Sequence, residues 1–134
     1  MKPKHHNLRV KSCGLRLDDT HHYIGASIDG YLECICCEPA ILEIKCPYSI
    51  RDGSVAVDGG QLAYLTDELL LKKNHTYYYQ IQTYLGVYKC KKGFFCVYTP
   101  QDVLILEIDF DEEFWRNLKS DIQTYYRYYL NDFF

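Results

Sequence analysis

The sequence of 134 residues lacks the features that mark several protein classes. No apolar run approaches the roughly 20 residues needed to cross a bilayer, which excludes a transmembrane role. Basic residues are not in excess, since 15 Lys and Arg stand against 18 Asp and Glu, and this excludes a histone-like polycation. Neither an internal repeat nor a low-complexity segment occurs. The length predicts one small globular domain with a modest core.

The sequence also lacks the cysteine pattern of a disulfide scaffold. Its seven cysteines are odd in number, and no signal peptide is recognisable, so we expect an intracellular, reducing compartment, the nucleus or the cytoplasm. Cys34, Cys36 and Cys37 lie close together, but no second pair has the spacing of a zinc knuckle. Structural or incidental cysteines are therefore favoured over a zinc site.

Aromatic residues are abundant, with 14 Tyr, 6 Phe and 1 Trp. Tyrosines pack in cores and also stack on bases, and composition alone does not choose between the two. The net charge of −3 is unevenly spread, because the residues from Gln101 onward are strongly acidic and the first hundred are slightly basic. We therefore expect any anion-binding face to lie within the first hundred residues.

Residues 1–7 are polar and basic with nothing that would bury them, so we expect a flexible N-terminus there, followed by one domain over residues 8–134. Alternating apolar residues predict a hairpin-rich sheet up to residue 46, with a bulge or turn at Cys13–Gly14. Beyond it the predicted elements are a loop (49–60), a hairpin (61–74), a helix (75–89), two strands (94–99 and 103–110) and a terminal helix (111–130).

The strand segment Ile41–Pro47 is unusual because it carries two charges in an apolar setting. Glu43 and Lys45 are two residues apart, so both point to the same face, roughly 6.6 Å apart along the strand. Unpartnered buried charges are costly. Either the two pair with each other on a solvent-facing side, or Glu43 binds a metal ion and Lys45 is an active-site lysine.

Asp29 is the second carboxylate of interest. Asp29–Gly30 is either a two-residue hairpin turn or a strand end beside Glu43. Mg²⁺ prefers oxygen ligands and keeps several waters, so two carboxylates and a backbone carbonyl suffice as the protein's share. Such an ion neutralises charge on a phosphodiester and lowers the pKa of a water, while Lys45 orients or activates the nucleophile. The Asp…Glu-x-Lys pattern thus indicates phosphodiester hydrolysis.

Three further side chains have open roles. Gln80 shares a helix face with Tyr84 that is suited to line a cleft, whereas Gln82 points elsewhere and is expected to be solvated or at a packing edge. Arg51 either contacts a phosphate or caps a loop carboxylate such as Asp52.

Three motifs occur in order, and together they resemble the YqaJ-like viral recombinase family, which includes relatives of phage lambda exonuclease in the PD-(D/E)XK nuclease superfamily. The motifs are Gly25–Gly30, then Leu42–Ser49 with Arg51–Asp52, and then Tyr77–Gln82. The likeness extends over about residues 15–130. It implies an α/β fold with a restriction-endonuclease-like core, in which a central mixed β-sheet is flanked by helices.

The resemblance also implies roles for individual residues. Asp29 and Glu43 would be metal ligands with the Ile44 carbonyl as a third, and Lys45 and Gln80 would complete the catalytic set. Ser27 and Arg51 would contact DNA. The implied cofactor is Mg²⁺, with Mn²⁺ as a substitute.

The sequence departs from the family pattern in two respects. Ile28 stands where the family commonly has proline, a tolerable change because proline supplies only rigidity there. Family members also have upstream helices that contribute an acidic metal-site residue and DNA-gripping groups, so we expect an N-terminally truncated domain that lacks them. The predicted function is Mg²⁺-dependent, exonuclease-type DNA hydrolysis linked to recombination. The alternative is a catalytically impaired DNA-binding or protein-interaction remnant. DNA, a homo-oligomer and a recombination protein are the expected partners.

Overall fold

The computed structural model describes residues 9–11, 15–20, 24–34 and 37–130. The predicted flexible N-terminus and the predicted bulge at Cys13–Gly14 lie outside these ranges, as does Cys36. Within them, Cys46, Cys90 and Cys96 carry free thiols. No helix of the described part has the length and apolar character needed to cross a membrane.

Of the seven strands in the described ranges, five form a mixed sheet in the order β1-β4-β5-β6-β7, and β2 pairs with β3 in a small separate sheet. In the large sheet the central pair β5–β6 is parallel and the other pairs are antiparallel. The strands are β1 (Arg9–Lys11), β2 (Arg16–Leu17), β3 (Gly25–Ala26), β4 (Gly30–Cys34), β5 (Cys37–Lys45), β6 (Lys92–Tyr98) and β7 (Val103–Asp109).

Two long helices pack with this sheet, α2 (Thr76–Tyr88) and α3 (Glu112–Tyr125). Both match predicted helices, and α3 continues as a π-helical turn over Tyr126–Leu130. Asp111 begins α3 because its side chain accepts a hydrogen bond from the Phe114 N–H. The central mixed sheet with flanking helices confirms the predicted α/β class.

The predicted loop over residues 49–60 is wrong in detail. It contains a 3₁₀ turn at Tyr48–Ile50, the short helix α1 (Val55–Asp58) and a second 3₁₀ turn at Gly59–Gln61. Ser54 caps α1 by accepting a hydrogen bond from the Val57 N–H. Short capped helices of this kind carry no hydrophobic periodicity, so the pattern of the sequence does not reveal them.

The predicted hairpin over residues 61–74 is also wrong, since the segment has one isolated bridge, Leu65 to Leu71, instead of two strands. Leu62, Leu65 and Leu71 are all buried in the main core. Their burial does not alternate with period two, because the segment follows the core surface and pairs only at this one position.

The main core lies between α2 and one face of the sheet, where Ile41, Phe95 and Val97 meet Ile81 and Leu85. A smaller buried cluster covers the opposite face, formed by Leu32, Ala40, Leu42 and Cys96. Successive residues of β5 therefore point alternately to the α2 side and to the opposite face of the sheet. The odd-numbered residues Ile41, Glu43 and Lys45 are on the α2 side.

Candidate active site

Glu43 and Lys45 lie at the C-terminal end of β5, beneath α2. Lys45 Nζ is 3.0 Å from Glu43 Oε2. Only 5% of Glu43 is exposed. One alternative expected the two residues to pair on a solvent-facing side. They do pair, but the face that carries them packs against the helix, so the expected solvent exposure is wrong.

Asp29 lies immediately before β4 and joins this pair. Its Oδ2 accepts a hydrogen bond of 2.8 Å from the Ile44 N–H, which fastens the start of β4 to the end of β5. The hairpin-turn interpretation of Asp29–Gly30 is wrong, because β3 before it and β4 after it belong to different sheets. Asp29 is instead a strand-end carboxylate beside Glu43.

The two carboxylates interact with each other and with a buried tyrosine. Burial raises the pKa of Glu43, Lys45 lowers it, and the neighbouring Asp29 raises it further. Burial, with Glu43 and Asp29 as additional causes, raises the pKa of Tyr84 to about 12. Like charges held this close favour an added cation or proton. The arrangement is therefore suited to divalent-cation binding.

The donor set at this position fits Mg²⁺. In the part of the chain that the structure describes, no group of three or more His, Cys, Asp or Glu side chains comes together as a metal site. Asp29 and Glu43 are the two carboxylates at this position, and their role as ligands stays a prediction. Two carboxylates are a typical protein share for Mg²⁺, which keeps several waters. The Ile44 carbonyl as a further ligand stays a prediction.

Helix α2 brings Gln80 to the same site. Lys45 Nζ donates a hydrogen bond of 3.4 Å to Gln80 Oε1. Gln80 is half-buried, as expected for a side chain that lines a cleft. The structure thus brings together four of the predicted residues, Asp29, Glu43, Lys45 and Gln80.

Tyr77 is a member of this site that the sequence interpretation did not identify. Lys45 Nζ lies over the Tyr77 ring, 4.1 Å from its centroid. Residues three apart on a helix share a face, so the spacing of Tyr77 and Gln80 is the signal that identifies it.

The two predicted DNA contacts lie on the surface. Ser27 is exposed, two residues before Asp29, and Arg51 is exposed in the segment after β5. The Arg51 guanidinium stacks 3.8 Å from the Tyr48 ring centroid, and its Nη1 donates to the Tyr48 carbonyl. Its Nε is 4.0 Å from the Asp52 carboxylate. Arg51 is thus ordered mainly by Tyr48, with Asp52 at the limit of an ion pair.

The prediction for Gln82 is wrong. Its side chain is fully buried, donates 2.9 Å to the Asp109 carbonyl and accepts 2.9 Å from the Asp111 N–H. These bonds join α2 to the connection between β7 and α3. A glutamine with both ends of its amide satisfied by backbone is stable in a core, which polarity in the sequence does not reveal.

Comparison with solved structures identifies relatives of the fold. An alkaline exonuclease, LHK-Exo from Laribacter hongkongensis, superimposes with a TM-score of 0.66 and 20% identity over 88% of this chain and 55% of its own. LHK-Exo in complex with dAMP gives a TM-score of 0.57 and 20% identity, covering 90% of this chain and 62% of that one. SSO0001 superimposes with a TM-score of 0.52 and 19% identity, covering 88% of this chain and 52% of its own. The chain therefore spans less than two thirds of the length of these proteins.

Comparison with curated proteins finds no match to the chain. Comparison with models of protein families is more specific than the comparison with solved structures. The model of the YqaJ-like viral recombinase domain matches residues 4–91, a range that includes Asp29, Glu43, Lys45 and Gln80. This match covers more than half of the sequence, and the resemblance seen in the three motifs is confirmed. With its mixed sheet and the polar cluster at the end of β5, the chain belongs to the YqaJ-like viral recombinase domain family.

Proposed function

We propose that this chain is a nuclease that hydrolyses DNA phosphodiester bonds with Mg²⁺, acting as an exonuclease in recombination. The observation that supports this most directly is the convergence of Asp29, Glu43, Lys45 and Gln80 at the end of β5. The description of LHK-Exo as an alkaline exonuclease, and its complex with dAMP, support the same chemistry.

Asp29 and Glu43 would hold the ion, with Mn²⁺ as a substitute. When bound, the ion supplies charge neutralisation at the phosphodiester and lowers the pKa of a water. Glu43 is buried, so its carboxylate is oriented by the strand instead of by solvent. The second carboxylate, that of Asp29, is oriented by the hydrogen bond that its Oδ2 accepts from the Ile44 N–H. The chain thus presents two oriented acidic groups to one position.

Lys45 and Gln80 would act on the other reactant. Lys45 Nζ contacts both Glu43 and the Gln80 amide. Its positive charge at this position would attract the phosphate group and would stabilise the hydroxide that a water forms when it loses its proton. Gln80 accepts from the lysine and so orients its ammonium. These are the roles that the residue types at this spacing support.

The nuclease proposal is tested by Glu43→Gln. We expect the wild-type chain to degrade DNA with Mg²⁺ or Mn²⁺ and not with EDTA, and the variant to lose at least about a hundredfold in rate. Glu38→Gln is the matched control, because Glu38 is an exposed residue of the same strand, paired with Lys91 at 3.3 Å. It should retain full activity.

Two results would count against the proposal. Equal activity of Glu43→Gln and wild type would show that the site is wrongly assigned. DNA binding without cleavage at any Mg²⁺ or Mn²⁺ concentration would instead identify the chain as a catalytically impaired DNA-binding remnant.

We further propose that Ser27 and Arg51 contact DNA phosphates. Both are exposed near the carboxylates in sequence, and Arg51 has free donors beyond its bond to the Tyr48 carbonyl. Arg51→Ala should weaken DNA binding and reduce the slope of log K against log salt by about one. Arg116→Ala, which removes an exposed arginine from α3, is the control. An unchanged slope in Arg51→Ala would contradict the contact.

A homo-oligomer and a recombination partner protein stay predictions.

A further inference from the structure

We propose that Tyr77 is a positioning residue, whose ring holds the Lys45 ammonium in place when Glu43 turns to a cation. This inference rests on the nuclease function proposed above. The Lys45 Nζ lies 4.1 Å from the centroid of the Tyr77 ring, well inside the distance at which a cation and an aromatic face attract.

The surroundings of Lys45 show why a neutral partner matters. In the structure its ammonium contacts the Glu43 carboxylate at 3.0 Å, the Gln80 amide oxygen at 3.4 Å and the Tyr77 ring. A metal ligand is shared with the ion, so Glu43 would become a weaker partner for Lys45. Gln80 and Tyr77 carry no net charge. They would hold the ammonium without neutralising it, so its charge stays available to a phosphate.

The Tyr77 ring is itself fixed by the core. Its centroid lies 4.8 Å from that of Tyr64, 4.7 Å from that of His75 and 6.1 Å from that of Phe95. Phe95 is fully buried and stands opposite Glu43 in the parallel pairing of β5 with β6. The ring therefore has a rigid support, and its position relative to β5 is set by packing.

The start of α2 adds a second constraint. His75 is the N-cap, and its Nδ1 accepts a hydrogen bond of 3.0 Å from the Tyr77 N–H. Tyr77 thus occupies the first turn of the helix, one turn before Gln80. The cap therefore fixes the start of the helix that carries both Tyr77 and Gln80.

The kinetic test removes the ring and then restores it. Tyr77→Leu and Tyr77→Met should lower kcat for DNA cleavage about tenfold with KM changed less than about twofold, because the loss falls on an oriented group and not on DNA binding. Tyr77→Phe keeps the aromatic face and should keep kcat. Tyr79→Leu is the control, since Tyr79 is an exposed ring of the same helix that packs on Phe114.

A second readout does not need activity. In the metal-free chain labelled with ¹³C-lysine, the ring current of Tyr77 should move the Lys45 ε-methylene signal upfield, with Lys45→Arg used to assign it. The upfield position should persist in Tyr77→Phe and Tyr79→Leu and persist in the wild type when Mg²⁺ is added. It should disappear in Tyr77→Leu and in Tyr77→Met. Met fills the space flexibly, so it serves if Leu does not fold.

The outcomes separate this inference from the proposed function. If the wild-type chain fails to cleave DNA but its Lys45 signal shows the ring-current shift with and without Mg²⁺, the nuclease proposal fails and the positioning stands. If cleavage is normal and Tyr77→Met retains both the wild-type kcat and the upfield signal, the positioning is wrong. Loss of the wild-type shift on adding Mg²⁺ would also overturn it.

Discussion

At the scale of single residues, Asp102 joins two segments that are far apart in sequence. Its Oδ1 accepts 2.7 Å from the Val55 N–H, and its Oδ2 accepts 3.0 Å from the Ala56 N–H. Both donors belong to the first turn of α1, which follows the proposed DNA contact Arg51. One carboxylate in the turn between β6 and β7 thus satisfies two backbone donors that a helix N-terminus leaves unpaired.

The two hydrogen bonds that Asp102 accepts from α1 predict a pH dependence of stability. The backbone donors of Val55 and Ala56 lower the pKa of Asp102 below its ordinary value of 3.8. A lowered pKa in the folded chain means that the charged form is favoured by folding, so the stabilisation is present above that ordinary value and is lost as the pH falls through the lowered one.

Asp102→Asn should therefore unfold at a lower temperature than the wild type at pH 7, and the difference should shrink below about pH 4. Thermal unfolding followed by circular dichroism from pH 7 to pH 2.5 measures it. Asp67→Asn, an exposed residue of a surface turn, is the control and should follow the wild type. A difference in unfolding temperature that stays constant with pH would show that the charged Asp102 carboxylate does not stabilise the start of α1.

At the scale of elements, α2 is buried on several sides. It directs Tyr77 and Gln80 towards Lys45, and Gln82 towards the connection between β7 and α3. Its glycine, Gly86, faces the Trp115 indole of α3, where a Cβ would lie inside the ring's van der Waals contact distance. Glycine lowers the intrinsic stability of a helix, but the missing side chain of Gly86 is what lets α2 and α3 approach closely.

Gly86→Ala should destabilise the chain by about 1–3 kcal/mol through overpacking against Trp115, even though alanine favours an isolated helix by about 1 kcal/mol. Urea unfolding measures the change. Gly60→Ala is the matched control, because a Cβ there would meet nothing within 4 Å. An increase in stability of Gly86→Ala would show that the two helices are less tightly packed than described.

At the scale of the whole molecule, the parts predicted correctly are those that local periodicity determines. Helix α2 follows from apolar residues three and four apart, and Glu43 and Lys45 share a face because strands repeat every two residues. The parts missed depend on long-range contacts. Gln82 is buried by bonds to backbone 27 and 29 residues away. The start of α1 is held by Asp102 in addition to Ser54, and no local pattern contains the contribution of Asp102.

The candidate site shows the same division. The sequence correctly predicts Glu43 and Lys45 in a strand and Gln80 in a helix, and it leaves Asp29 between a turn and a strand end. The structure adds how the four residues meet. Tyr77 was missed because an aromatic residue on a tyrosine-rich helix is expected to be core. Its spacing from Gln80 was the available signal, and its position over Lys45 shows what the ring contacts.

The paired carboxylates finally predict how the stability of the folded chain responds to a cation. An ion that binds Asp29 and Glu43 in the folded state only should stabilise it by about 1.4 kcal/mol at ten times its Kd, and should raise Tm by a few degrees. Asp29→Asn should abolish the rise. In EDTA this variant should unfold no earlier than the wild type, because asparagine still accepts the bond from the Ile44 N–H while one of two like charges is removed. Scanning calorimetry with Mg²⁺ and with EDTA measures both effects, and Asp67→Asn should respond as the wild type does. A wild-type Tm that is insensitive to Mg²⁺ well above millimolar concentration would show that the two carboxylates do not form a cation site.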